Sequence, residues 1–167
     1  MSLPSLELRA ADGPLGRQLF SLQVSASDEI LAATQAVAPH FAVFLAWDAT
    51  TVATEEISRL ATLLHNRGLA YLCTFGPDCE RVHDIFDEVE LELEGARPSE
   101  SVIMTTWHDD ESLEDALWFF VNNSFPDAAY EDTCHTGIAV TIGNRQWAIQ
   151  VADYLSNLPK LNAAAGV

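Results

Sequence analysis

Four short stretches of this sequence gather the side chains that do chemistry. They are Asp48-Ala-Thr-Thr51, Gly76-Pro-Asp-Cys79, Trp107-His-Asp-Asp-Glu111 and Gly143-Asn-Arg145. Each follows an apolar run. Hard carboxylate oxygens suit a divalent cation such as Mg²⁺, so Asp48 with Asp109 or Asp110 is a candidate metal set. His108 lies beside them and could act as a general base in metal-assisted hydrolysis or phosphoryl transfer. Asp48, His108 and Asp109 are therefore the catalytic candidates. Arg145 opens a helix after a glycine and could hold an anionic substrate group. Asp78, Asn144 and Trp107 complete the candidate ligand contacts. The competing reading is helix capping. An acid in the first turn of a helix gains about 0.3–1 kcal/mol from the dipole. Each of these stretches begins a helix, so capping accounts for them without a ligand and is favoured.

Cys79 and His83 are four residues apart and share a helix face, a spacing that suits a nucleophile or a soft-metal site. Cys134-His135 could add zinc ligands. Against this, Asp78 and Glu80 flank the thiol and oppose a thiolate. Cys79 also sits three residues before Val82 on an apolar stripe, where a free cysteine is a small hydrophobe. Cys73 reads as core. Trp47 and Trp107, at the ends of apolar runs, could floor a pocket but read more simply as rim packing. Trp118 and Trp147 fall at helical spacing and read as core, whereas His40 and His65 read as surface residues. Glycine-rich phosphate loops and a nucleophile elbow are missing. Asp48-Ala-Thr-Thr has Thr50 where an aspartyl-phosphate loop needs a second acid, and Lys160 is the only lysine.

The elements that must position these residues follow from periodicity. The runs starting at Phe41, Leu69, Ser101 and Gly137 are short and nearly continuous, as strands read when both faces are covered. Between them lie amphipathic stripes: Ile57, Leu60, Ala61, Leu64; Val82, Ile85, Phe86, Val89; Leu113, Ala116, Leu117, Phe120; and Ala148, Val151, Ala152, Leu155. This alternation predicts an α/β protein, a three-layer αβα Rossmann-like sandwich with four core parallel strands. A strand order of 2-1-3-4 is expected. In such a sheet the strand-end turns named above would meet at one edge. Leu3 to Ala10 and Gln18 to Val24 read as an N-terminal hairpin or edge strands, and Asp28 to Val37 as a helix. The stretch Glu88 to Glu94 fits either a charged edge strand or a helix end. One domain is expected over 1–167, with a covering segment 1–40, a core 41–158 and a tail 159–167.

Gly76-Pro-Asp-Cys79 before one helix, and Met104-Thr-Thr-Trp-His108 before an acidic helix, resemble an uncharacterised family of small bacterial Rossmann-like α/β proteins. The resemblance covers Phe41 to Val121. It implies the fold and brings no catalytic residues.

The chain has 167 residues, with 8 Lys+Arg against 25 Asp+Glu, for a formal net charge of −17. That field repels nucleic-acid backbones and anionic lipid, so neither nucleic acid nor membrane is an expected partner. Three cysteines give no disulfide framework and point to a reducing, cytoplasmic compartment. The first residues lack the basic and apolar regions of a signal peptide, so none is expected, and no apolar run reaches transmembrane length. The leading expectation is an acidic binding module without catalytic activity, engaging a basic protein or assembling with itself. The alternative is the metal-assisted enzyme above, with a divalent cation as cofactor. A third option is small-molecule binding in the same crevice through Arg145.

Overall fold

The computed structural model describes residues 7–34, 37, 39–94 and 101–167. A hairpin of β1 (Glu7–Asp12) and β2 (Gln18–Val24) leads into a short helix, α1 (Glu29–Ala33). Four strand–helix units follow. They are β3 (His40–Trp47) with α2 (Thr54–Arg67), β4 (Leu69–Phe75) with α3 (Cys79–Glu94), β5 (Met104–His108) with α4 (Leu113–Asn122), and β6 (Cys134–Ile142) with α5 (Arg145–Ser156). A 3-10 turn (Ala128–Tyr130) precedes β6, and α6 (Leu158–Ala164) follows α5.

The strands form one sheet in the order β1-β2-β6-β3-β4-β5. β1 runs antiparallel to β2, and the other five strands are mutually parallel. The α/β sandwich therefore stands, with five parallel strands instead of four. The fifth is β2, which pairs in register with β6 from Gln18↔Thr136 to Val24↔Ile142. The N-terminal hairpin thus adds two strands at that edge of the sheet, as expected of a hairpin or edge strands.

The four core strands lie in the order fourth-first-second-third, not the expected 2-1-3-4. The helix layers explain this. α2 and α3 pack on the same face of the sheet, so β3, β4 and β5 step in one direction. α4 packs on the opposite face and carries the chain back past β3 to place β6 on its far side. Crossovers that step in opposite directions on opposite faces share one hand, the right hand in almost all parallel connections.

Continuity of the apolar runs follows from these two layers. Phe41, Val43, Leu45 and Trp47 of β3 face α1, α2 and α3. Ala42, Phe44 and Ala46 face α4, α5 and α6. With both faces buried, no polar alternation is needed.

Other boundaries differ from expectation. Val89 to Glu94 is the last part of α3, not an edge strand. Leu and Glu are strong helix formers, and Glu90 Oε1 accepts from the Ile103 amide at 2.8 Å, tying that turn to the segment before β5. α1 is shorter than Asp28–Val37, because the Thr34 hydroxyl bonds back to the Ile30 carbonyl and closes it. Expectations on residues 1–6 lie outside the described residues. α2 stops at Gly68, at φ 109°, where a Cβ would lie 2.3 Å from the Pro39 carbonyl oxygen.

Candidate functional site

After β3 the chain turns toward the α2 layer, and after β6 toward the α5 layer. The two loops diverge to opposite faces at the carboxyl ends of adjacent strands, the place where ligands bind in such sheets. Gly76 sits there at φ 110°, with a hypothetical Cβ only 2.5 Å from the Trp47 carbonyl oxygen. The Ala49 amide donates to the Pro77 carbonyl at 3.1 Å. The β3 and β4 loops are thus pressed together.

Most of the sequence candidates are engaged locally. Asp48 is exposed, and its Oδ1 accepts from the Thr50 hydroxyl (2.7 Å) and amide (3.1 Å). These bonds favour the carboxylate and hold its pKa below the usual value. Asp78, at φ 65°, accepts from Arg81 Nε at 2.6 Å. Asp109 Oδ1 accepts from the Asp110 amide at 3.0 Å, and both side chains are exposed. Asn144 caps α5 by accepting from the Trp147 amide at 3.0 Å. Ser112 caps α4 in the same way. Arg145 is exposed and pairs with no described residue.

His108 is the last residue of β5 and only 4% exposed. Nδ1 lies 3.0 Å from Glu111 Oε2, Nε2 lies 3.0 Å from Thr106 Oγ1, and the ring packs on Phe119. Both ring nitrogens are therefore engaged. Among the described residues, no three His, Cys, Asp or Glu side chains group as a metal shell.

The Cys79–His83 pair divides. Cys79 is buried, and burial pushes its thiol pKa up. His83 turns to Asp84 (2.9 Å), to Asp87 (3.4 Å) and to the Trp107 ring, 4.6 Å between centroids. Cys73 and Cys134 are likewise free and buried, and burial drives Cys73 up to about 12. His135 is exposed and pairs with the Asp132 carbonyl.

The aromatic and histidine expectations need correction. Trp47 is core rather than rim. Trp118 and Trp147 are only half-buried, bonded to Asn162 and packed edge-on against Phe75. His65 is buried, not on the surface, because the last turn of α2 packs against Phe86 of α3 and its Nε2 meets the Phe86 carbonyl at 3.0 Å. His40 is half-buried against Tyr130 and bonded to Thr133.

Two features escaped the sequence reading. Arg81 donates to the Ala49 (2.6 Å) and Val52 (2.9 Å) carbonyls while holding Asp78, so it clamps two loops. Only the Asp78/Arg81 spacing hinted at it. The second is the outer edge of β5. Trp107 is 43% exposed and Met104 39% exposed. Thr105 and Trp107 face α3, where Thr105 donates to Asp87 at 2.6 Å. Met104, Thr106 and His108 take the other face by strand alternation. β5 pairs with β4 alone, so its outer backbone groups meet no described strand.

Fold and site together define an α/β sandwich with a mainly parallel sheet, divergent strand-end loops and one apolar open edge. Residues 20–157 match the model of a domain of unknown function, DUF7684, and the chain belongs to that family. No curated protein matches it. Among the described residues, no helix is long and apolar enough to cross a membrane.

Proposed function

We propose that this chain is a protein-binding module that takes an extended, basic segment of a partner along the open edge of β5. The observation that carries the reading is the exposed pair Met104 and Trp107 on an edge strand whose outer backbone groups pair with no described strand. Strand addition uses those backbone groups for affinity and alternate side chains for specificity. Asp84, Asp87, Asp109, Asp110 and Glu111 surround the edge, and the whole chain carries −17. Such a field attracts a cationic strand and opposes edge-to-edge pairing of two copies. A cytoplasmic setting suits three free thiols.

The test is a fluorescence-anisotropy titration with a synthetic peptide of about ten residues alternating Lys and Val. Its control replaces Lys by Glu. Saturable binding of the basic peptide is expected. It should weaken about tenfold between roughly 0.01 and 0.15 M salt, as the screening length falls from about 30 to about 8 Å. Trp107→Ser should abolish it, measured at a temperature where circular dichroism shows the variant folded, since it also removes the ring packed on His83. Equal binding of both peptides, or none, overturns the proposal.

A further inference from the structure

A concavity lies at the end of the sheet where the strands begin. It encloses about 140 Å³ between the last turns of α2 and α3 and the segment leading into β5. Its polar lining comes from His65, Glu90, Glu94, Ser101 and Tyr130. Its apolar walls are Leu93 and Ile103. An apolar cavity of about 150 Å³ holds a molecule the size of benzene.

The lining is rich in acceptors. His65 is 9% exposed. Its Nε2 is spent on the Phe86 carbonyl, which only accepts, so Nε2 carries the proton and Nδ1 is left as a bare lone pair. That Nδ1 is buried without a hydrogen-bond partner. Unpaired buried polar atoms are uncommon and call for an explanation. Glu90 and Glu94 stand four apart on α3, on one helix face. One Glu90 oxygen takes the Ile103 amide, and Glu94 lies close enough to interact with its carboxyl group. Tyr130 presents its ring with its hydroxyl tied to Ser101 at 2.9 Å. Across the described residues, no group of carboxylates and imidazoles is tight enough to form a metal shell. Dispersed acceptors around an apolar space fit a ligand with several N–H donors on a short hydrocarbon.

We propose that this cavity binds a small organic cation, an alkylammonium or alkylguanidinium of roughly five to eight heavy atoms. The cationic head meets Glu90 and Glu94, with the His65 ring and its unpaired Nδ1 in the wall beside them. Tyr130 offers a ring face to the same charge. The alkyl part lies between Leu93 and Ile103. This site is separate from the β5 edge, and neither reading depends on the other.

The test is an NMR titration of the full chain with n-butylammonium chloride. n-Butanol serves as the uncharged isostere and sodium chloride as the ionic control. Saturable shifts of the Ile103, Glu94 and Tyr130 amides are expected with n-butylammonium alone. Glu90→Gln can still accept from the Ile103 amide. It should weaken binding about tenfold, and the double change with Glu94→Gln should remove it. Equal response to n-butanol would show an apolar cavity without charge recognition and overturn the proposal. So would shifts that fail to saturate or that sodium chloride reproduces. If the variants do not fold, the contrast among the three probes on the unaltered chain still decides.

Discussion

Arg17 shows how a single side chain is held where sequence spacing offers no clue. It is 2% exposed and no described carboxylate pairs with it. Its guanidinium donates instead to the Ser124 hydroxyl (2.7 Å) and carbonyl (2.6 Å). Ser124 follows the end of α4 and bonds back to the Phe120 carbonyl. The C-terminal end of a helix carries partial negative charge, so α4 itself serves as the counter-charge. Arg17→Ala should cost about 3 kcal/mol, measured by urea unfolding, because it leaves the Ser124 carbonyl buried and unpaired. Ordinary surface arginines changed to alanine should cost far less. His65 gives a pH signature. Burial lowers its pKa in the folded state, more than the Phe86 carbonyl and Asp87 raise it. The unfolded chain takes up the proton near pH 6.5, whereas the folded chain resists it. Stability should therefore fall as pH drops below about 6.5, until the lowered folded-state value is passed. Glu90 acts with the opposite sign. Burial raises its pKa, so its unfavourable contribution is present above that raised value and fades as pH falls toward about 4.3. The pH dependence of the difference in urea midpoint between wild type and His65→Gln isolates the histidine, and wild type should lose ground between about pH 7 and about pH 5.5. Local bonds of this kind were legible where partners are close in sequence, as with Asn144 capping α5. Arg17 and Ser124 are 107 positions apart, and no local pattern joins them.

At the scale of elements, apolar runs and helical stripes located β3, β4, β6 and α2 to α5 because each is buried on the faces its pattern implies. Strand order was not legible. Each βα unit looks alike in sequence, and the order depends on which sheet face each helix takes. α4 decides it by packing opposite α2 and α3. The strand-end acids were correctly placed on turns, yet the geometry that would join them was not readable. Asp48 is closed by Thr50 and Asp78 by Arg81, within their own loops or across to the next. The close meeting of the β3 and β4 loops can be tested at Gly76. Gly76→Ala meets both a left-handed φ and the Trp47 carbonyl. It should destabilise by about 3 kcal/mol or more, whereas Gly143→Ala, at φ 70° in open space, should cost about 1 kcal/mol. Thermal or urea unfolding of the two variants, measured together, provides the comparison.

At the scale of the molecule, a charge of −17 makes a partner's sign matter before any contact forms. It favours a cationic segment, and the β5 edge offers exposed Met104 and Trp107 beside outer backbone groups that pair with no described strand. The hairpin forms the other edge, with β1 antiparallel to β2. Hydrogen–deuterium exchange read at single amides, with and without the Lys/Val peptide, tests this account most directly. The outward-facing amides from Met104 to His108 should exchange at least about tenfold more slowly with peptide bound, while β2 and β6 stay unchanged. Unaltered exchange along β5 in the presence of bound peptide would contradict it.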